Sequence, residues 1–405
     1  MKRADRWLLP EGVEEVLPPQ ALKLEKLRRE ILDLYQSWGY ELVITPLIEY
    51  LDSLLVGSSH DLDLHTFKIT DQLSGRMMGV RADITPQVAR IDARNLHRDG
   101  PVRLCYADSV VHTRPRGLLT SRVPIRIGAE LFGHAGVACD IELIVLMAKT
   151  LKLAGIAPVH IVLGHVGIFR SLVAAAGLNK DAENELFDAV QRKAFADIDS
   201  WLDANIDNVN LAQMLKSLAR LSGDSTVLDN ADEVLAHAPP QTREALSELK
   251  QIAAAITQRL DDVTLGFDLS ELRGYQYHTG IVFAAYTPAY GRAVAKGGRY
   301  DDIGKVFGRA RPASGFDADL KILARLSQHP DTTRDVVLAP DSTDPQLLAL
   351  TQRLRDAGEI VVTHLGSGDV TGNLLQELGC TRQIVEGTAG EWIVTDLNTT
   401  TGQAQ

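Results

Sequence analysis

The stretch "RVPIRIGAELFG", Arg122–Gly133, alternates apolar and polar positions along its length. Such alternation predicts a β-strand with one apolar and one polar face. The apolar face carries Val123, Ile125, Ile127, Ala129 and Leu131, and the other carries Arg122, Arg126, Gly128 and Glu130. We therefore expect this segment to be one strand of the sheet that organises the fold.

Other strand patterns surround this segment in the chain. "PVRLCYADSVVH" precedes it across a loop rich in Arg and Gly, and residues 64–85 have the pattern of a hairpin. Further strands are predicted at 263–269 and 277–286. Because hairpins are expected to join these neighbours, we predict a mainly antiparallel sheet rather than a doubly wound nucleotide-binding fold.

Helical spacing of apolar residues divides the chain further. A helix is predicted to follow Pro18 and Pro19, and residues 167–260, rich in Leu and Ala, are expected to form a helical insertion. "SGFDADLKILARL" is predicted to be a helix capped by Ser314. Residues 334–405 read β-α-β-α-β. We expect an α+β core over 1–326, followed by a small C-terminal α/β domain over 334–405.

Composition limits the classes of function. The 405 residues carry 42 Lys and Arg against 53 Asp and Glu, a net charge of −11, which disfavours nucleic acid as the main partner. No secretion signal or apolar span is apparent, and the three cysteines form no C-x-x-C pair. We expect a cytoplasmic protein with reduced thiols. No metal or other cofactor is predicted, because neither H-E-x-x-H nor Cys partners at metal-binding spacing occur.

Arg126 and Glu130 lie on one strand face with Gly128 between them. A guanidinium and a carboxylate beside a glycine gap suit a small zwitterion, whose carboxylate and cationic nitrogen they would bind. The alternative is a solvated polar face with a diagonal ion pair, and the strand alone favours that alternative.

Two more segments carry candidate binding residues. "ELRGYQYHTGIVF", Glu271–Phe283, places Arg273, Tyr277 and His278 close to glycines, a set suited to recognising a ring nitrogen. Its alternative is an amphipathic strand with tyrosines at its edge. In "VRADITPQVAR", residues 80–90, Asp83 and Thr85 precede a helix, where both residue types are also good N-caps.

Five separated segments, in this order, resemble the catalytic core of histidyl-tRNA synthetase over roughly residues 8–326. They are a helix and strand ending at Pro46, then "RADIT", "HTRPRGLLTSRVPIRIGAELFG", "LRGYQYHTGIVF" and "GGRYDDIGKVFGRARPASGFDADLKIL". The resemblance to this class II synthetase implies an antiparallel sheet, a dimer formed through the first motif, and a pocket for histidine and ATP.

The sequence departs from that family at the residues that bind ATP. Val111 and Thr113 stand where the enzymes carry the Arg and Glu of F-R-x-E-R-P, and Lys321 and Ile322 replace the Glu and Arg of G-L-E-R. Arginines that clamp phosphates contribute orders of magnitude to rate, about 10³ or more for arginine fingers. Their loss argues against amino-acid activation.

The amino-acid half of the family's pocket is retained in part. Thr85, Glu130, Arg273 and Tyr277 match the family's residues, whereas Asp83, Arg126, Gln276 and His278 are replacements. The resemblance thus implies a histidine-like pocket without catalytic residues. It comprises Asp83, Thr85, Arg126, Glu130, Arg273, Tyr277 and His278.

The C-terminal segment is unlike an anticodon-binding domain. Residues 334–405 contain four Arg and ten Asp and Glu, a net charge of −6, whereas a tRNA reader needs a basic surface. A synthetase-like core without ATP arginines resembles the regulatory subunits of ATP phosphoribosyltransferase, a glycosyltransferase complex that begins histidine biosynthesis. The resemblance implies a hetero-oligomer with a short-form catalytic subunit, activation of that subunit, and feedback regulation by histidine. Two alternatives stay open: an active histidyl-tRNA synthetase, and a stand-alone amino-acid-binding protein.

Overall fold

The computed structural model describes residues 7–55, 60–115, 117, 120–329, 335–365 and 370–397. The chain divides into two compact units, Met1–His329 and Pro330–Gln405. Cys105, Cys139 and Cys380 are free thiols. No helix in the described ranges is long and apolar enough to cross a membrane.

A nine-stranded sheet organises the described part of the first unit, in the order β1-β5-β6-β12-β11-β10-β7-β9-β8. Its strands are β1 (Glu41–Leu42), β5 (Val102–Ser109), β6 (Ile125–Phe132), β7 (Val159–His165), β8 (Ser222–Gly223), β9 (Val263–Asp268), β10 (Ile281–Thr287), β11 (Tyr290–Arg299) and β12 (Ala313–Asp319). All neighbours are antiparallel except the pairs β1–β5 and β7–β9. A separate sheet has the order β2-β4-β3, with β2 at Ile48–Tyr50, β3 at Phe67–Thr70 and β4 at Met77–Val80.

The mainly antiparallel α+β architecture is thus confirmed. The expectation that hairpins join all neighbouring strands is wrong, because β6 pairs with β12 and β7 with β10 across long stretches of sequence. Those two pairings bring the separated motifs together on one sheet.

Helices cover the sheet and build an insertion. Around the large sheet lie α1 (Gln20–Ser37), α4 (Thr85–Ile91) with a π-helical turn at Asp92–Leu96, α5 (Val137–Leu153) and α12 (Leu320–Leu326). The short helix α2 (Leu51–Leu54) contacts β2 and β4 of the separate sheet, and α3 (His60–His65) precedes β3. The insertion contains α6 (Val166–Ala175), α7 (Lys180–Gln191), α8 (Phe195–Asn205), α9 (Val209–Leu218), α10 (Thr226–Val234) and α11 (Pro240–Arg259). A 3₁₀ turn spans Ile303–Phe307. The central helix α5 buries eleven residues, as expected of a helix enclosed by a sheet and other helices.

Two predicted elements differ from the structure. Residues 271–278 form turns, and β10 begins only at Ile281, so neither the strand predicted at 277 nor the amphipathic-strand alternative is correct. Ser314 does not cap a helix, because Ala313–Asp319 is the strand β12 and Asp319 caps α12. At Ser314, pairing of β12 with β6 and β11 outweighs the local pattern. At 271–278 no neighbouring strand pairs with the segment.

The second unit has a four-stranded sheet in the order β14-β13-β15-β16. Its elements are β13 (Val336–Ala339), α13 (Pro345–Asp356), β14 (Ile360–Thr363), α14 (Gly372–Leu378), β15 (Cys380–Glu386) and β16 (Trp392–Asp396). The small α/β character was expected, but the sequence pattern missed β15, whose mixed composition hides a strand paired on both sides.

Candidate functional site

A cavity of about 620 Å³ opens on one face of the large sheet. Strand register builds its floor, since Glu130 on β6 pairs with Gly315 on β12, which in turn pairs with Gly298 on β11. A methyl group on Gly315 would lie 1.5 Å from the Glu130 Oε2 atom. Glycine at this position therefore leaves the room that the Glu130 side chain occupies.

Glu130 is buried at the base of the cavity, with an exposed fraction of 1%. The Thr85 hydroxyl donates to its Oε1 atom at 2.8 Å, the Tyr106 hydroxyl to the same atom at 3.1 Å, and the Tyr300 hydroxyl to Oε2. Burial raises the pKa of Glu130 to about 8, against the lowering effect of these hydroxyls. The solvated-face alternative for this strand is therefore wrong.

Tyr277 lies along the wall of the cavity, stacked on Tyr300 with ring centroids 5.1 Å apart. Its hydroxyl is buried and has no hydrogen-bond partner among the described residues. An unmet buried hydroxyl costs about 1–3 kcal/mol, so such a group is usually satisfied by water or a ligand. The Tyr277 hydroxyl therefore has unused hydrogen-bonding capacity in the wall of the cavity.

Arg126 pairs with Asp317 on β12 at 3.1 Å, and not with Glu130 as the ion-pair alternative required. Asp83 accepts hydrogen bonds from the backbone nitrogens of Ile84 and Thr85, at 2.7 and 3.3 Å. These bonds fix the turn that leads into α4, but Ile84 holds the N-cap position and no side chain caps the helix, so the N-cap alternative for Asp83 and Thr85 is wrong. The Thr85 hydroxyl donates to Glu130 instead.

His278 and Arg273 lie on the turn segment that closes the cavity. The His278 Nδ1 atom lies 3.2 Å from the Arg299 carbonyl oxygen, and burial lowers the His278 pKa to about 4. The ring is then neutral, with its proton on Nδ1 and a lone pair on Nε2. Arg273 is half exposed and pairs with Glu271 at 3.2 Å.

The structure brings all seven predicted pocket residues to this one cavity. Sequence reasoning missed Tyr106, Tyr300 and Asp317, which hold Glu130 and Arg126 in place. The alternation within "ASGFDAD" would have indicated Asp317, because it places Gly315, Asp317 and Asp319 on one strand face.

The replaced ATP residues have other contacts. The backbone nitrogen of Val111 donates to the Arg81 carbonyl, and that of Thr113 to the His65 carbonyl. The Lys321 ammonium lies 3.5 Å from Glu14 and from the Ser121 hydroxyl. An active synthetase with displaced arginines would need Arg114 or Arg116 to reach the phosphate. Arg114 is exposed and is not among the described residues that line the cavity. Arg116 lies outside the described residues.

Within the described ranges, no group of three His, Cys, Asp or Glu residues is placed to hold a metal ion. The cavity instead offers the buried carboxyl of Glu130, further carboxylates, hydroxyl groups, three guanidinium groups and a neutral imidazole. This arrangement suits recognition of a small polar molecule.

The fold and the cavity define a protein of the histidyl-tRNA synthetase class. The histidyl-tRNA synthetase family matches residues 12–323. The solved histidyl-tRNA synthetase from Nostoc superposes with a TM-score of 0.77 at 19% identity, covering 97% of each chain. A solved ATP phosphoribosyltransferase regulatory subunit/histidyl-tRNA synthetase from Bacillus halodurans has a TM-score of 0.82 at 25% identity, covering 95% of this chain and 99% of that one.

Full-length relatives narrow the class. The ATP phosphoribosyltransferase regulatory subunit of Alkalilimnicola ehrlichii is 54% identical, covering 97% of this chain and 98% of its own. That of Thioalkalivibrio sulfidiphilus is 52% identical, covering 98% and 100%. Residues 334–395 match the ATP phosphoribosyltransferase subunit HisZ C-terminal domain. The chain belongs to the family of ATP phosphoribosyltransferase regulatory subunits.

Proposed function

We propose that this chain activates a short-form catalytic subunit of ATP phosphoribosyltransferase and makes the complex sensitive to histidine. The reaction joins ATP and phosphoribosyl pyrophosphate, a glycosyl transfer carried out by the partner in the cytoplasm. One observation carries the proposal. The cavity keeps Glu130 and Tyr277, which match the family's amino-acid-binding residues, whereas Val111 and Ile322 stand where the family's enzymes hold ATP by arginines. A site that binds without activating suits a regulatory subunit.

Free histidine is the proposed ligand. Its imidazole fits beside Glu130 and the unpartnered hydroxyl of Tyr277, which together offer a carboxyl and a phenol to the ring nitrogens. Arg126 and Arg273 supply guanidinium groups for the α-carboxylate, and Asp83 a carboxylate for the α-ammonium. His278 contributes a neutral ring nitrogen that accepts a hydrogen bond.

Aminoacylation is not expected of this chain. The missing arginines remove the charge stabilisation that phosphoryl chemistry requires. The helical insertion over residues 166–260 carries nine Lys and Arg against fourteen Asp and Glu, a net charge of −5, and residues 334–405 carry −6. Both segments would repel tRNA phosphates.

A homodimer formed through the first motif is also proposed. Leu42, Ile44, Leu47 and Ile48 are 45–81% exposed along one short segment. Beside them a groove of about 240 Å³ is lined in part by Leu24, Val43 and Ile125. Clustered apolar exposure of this kind marks protein interfaces.

Reconstitution tests the proposed function. The purified chain is mixed with a short-form ATP phosphoribosyltransferase, and formation of phosphoribosyl-ATP is followed with and without histidine. We expect the chain to raise the rate and histidine to lower it again. ATP–pyrophosphate exchange with histidine is measured on the same preparation. Rapid exchange, or no effect on the catalytic subunit, would reject the proposal.

A further inference from the structure

The turn segment Gly274–His278 contacts two different parts of the molecule. Tyr277 and His278 face the cavity, whereas Tyr275 points away and packs into the helical insertion. Gly274 has φ +70°, and its carbonyl accepts hydrogen bonds from the nitrogens of Tyr277 and His278 at 2.7 and 2.8 Å. This tight turn directs the side chains of Tyr275 and Tyr277 to opposite sides of one short segment.

The helical insertion holds the Tyr275 side chain by several contacts. The Tyr275 ring stacks on Phe187 of α7 at 5.4 Å and meets Phe169 of α6 edge-on at 5.5 Å. Its hydroxyl donates to Glu183 of α7 at 2.6 Å. Aromatic pairs contribute about 0.5–1.5 kcal/mol each beyond burial.

Arg170 of α6 secures the backbone of the same turn. Its guanidinium donates to the carbonyl oxygens of Tyr275 and His278, at 2.8 and 2.9 Å, and lies over the Tyr275 ring at 4.9 Å. The nitrogen of Val166, at the start of α6, donates to the Gly280 carbonyl at 3.0 Å. Regular strand pairing does not reach residues 271–278, so these helices and the cavity wall position the segment.

On the cavity side, Tyr277 stacks on Tyr300, whose hydroxyl donates to Glu130. Side-chain contacts therefore run from Glu130 through Tyr300 to Tyr277, the backbone of the turn connects Tyr277 to Tyr275, and Tyr275 contacts α7. We propose that segment Gly274–His278 couples occupancy of the cavity to the conformational order of helices α6 and α7, and that Tyr275 and Arg170 position this segment. The proposal rests on the histidine pocket proposed above. A ligand that fixes Tyr277 also fixes the turn, and the turn then fixes the insertion.

The coupling is tested first without ligand, by hydrogen exchange of the amides in α7. Tyr277→Ala removes the side chain that faces the cavity and is expected to speed amide exchange in α7 by about fivefold or more. In a Tyr275→Ala variant the turn has already lost its aromatic contacts with α7. There, adding Tyr277→Ala is expected to change the exchange rate by less than about twofold. Tyr50→Ala, in the β2-β4-β3 sheet, is the matched control and should leave α7 unchanged. The coupling would be overturned if Tyr277→Ala had no effect on exchange in α7. It would also be overturned if Tyr277→Ala sped exchange by the same factor in the parent and in the Tyr275→Ala variant.

Free histidine provides the second measurement. It should slow exchange in α6 and α7 of the parent, whereas Tyr275→Ala should bind histidine by calorimetry yet show no slowing. Arg170→Met, which removes the two carbonyl contacts but keeps Tyr275, replaces Tyr275→Ala if that variant does not fold. If histidine does not bind the parent, the histidine pocket is wrong, while the ligand-free experiment still decides the coupling.

Discussion

Burial raises the pKa of the Glu130 carboxyl to about 8, against an ordinary value of 4.5, although hydrogen bonds from three hydroxyls lower it in part. Between these two pH values the folded chain holds a proton that the unfolded chain has released. The unfolded state then binds fewer protons, so the contribution of Glu130 to stability falls as pH rises through this window. The slope for one such group is about 1.4 kcal/mol per pH unit.

We therefore expect Glu130→Gln to remove this loss. Glutamine keeps the shape of the side chain but carries no charge, so the free energy of unfolding of the variant should exceed that of the parent increasingly between pH 5 and about 8. Urea unfolding at several pH values measures the difference. Glu233→Gln, on the exposed part of α10, is a matched control. Parallel curves for the parent and Glu130→Gln would show that Glu130 is ionised throughout.

The hydroxyl of Tyr277 allows a second test at the residue scale. Tyr277→Phe removes one hydroxyl that has no partner among the described residues, so stability should stay the same or rise slightly. Histidine affinity should fall about five- to tenfold, the value of one hydrogen bond. Calorimetric titration with histidine measures it, with Tyr50→Phe as the control. An unchanged affinity would remove Tyr277 from the site.

At the scale of elements, β12 explains how the cavity is shaped and why part of it escaped the sequence analysis. The motif "RVPIRIGAELFG" was enough to predict β6 and the placement of Arg126 and Glu130. Asp317 was missed because its segment runs directly into a helix at Leu320, so the whole stretch was interpreted as one helix despite the alternation within "ASGFDAD". Pairing with β6 and β11, which are distant in sequence, fixes the first part as a strand.

The glycine on β12 offers a test of this packing. Gly315→Ala would place a methyl group 1.5 Å from the Glu130 Oε2 atom, so the carboxyl must move away from its hydroxyl partners. We expect a loss of about 1–3 kcal/mol in stability, as for overpacked cores, together with weakened histidine binding. Gly291→Ala on β11 is the control, since nothing lies within 4 Å of its added methyl group. Equal effects of the two changes would contradict the close packing at Gly315.

At the scale of the whole molecule, the order of the separated motifs predicted the synthetase-like fold, although they are spread over most of residues 8–326. The convergence of the seven pocket residues was expected only through that resemblance, because no spacing rule relates Asp83 to Arg273. The turn at 271–278 was not predicted, because its conformation depends on contacts with the insertion. Arg170 of α6 donates to its backbone, and Tyr275 stacks on Phe187 of α7. Contacts that depend on distant partners leave little trace in a local pattern.

The exposed apolar segment around β1 is the surface through which we propose that two chains form a dimer. Ile44 is 81% exposed and adjoins the groove lined by Leu24 and Ile125. If two chains pair through the first motif, a charge at this position is buried without a partner. Ile44→Lys should then weaken the dimer at least tenfold, about 1.4 kcal/mol or more, while leaving the fold of each chain intact. Sedimentation over a range of concentrations measures the dimer.

Leu73→Lys is the matched control for that experiment. Leu73 is 98% exposed at the tip of the β3–β4 hairpin, and its substitution changes the net charge by the same single unit. Dimerisation should be unaffected there, because the hairpin tip lies outside the first motif. A parent chain that stays monomeric at micromolar concentration, or equal weakening by both lysines, would reject pairing through this segment. Since activation of the catalytic partner is measured separately, the Ile44→Lys chain also shows whether a dimer is required for it.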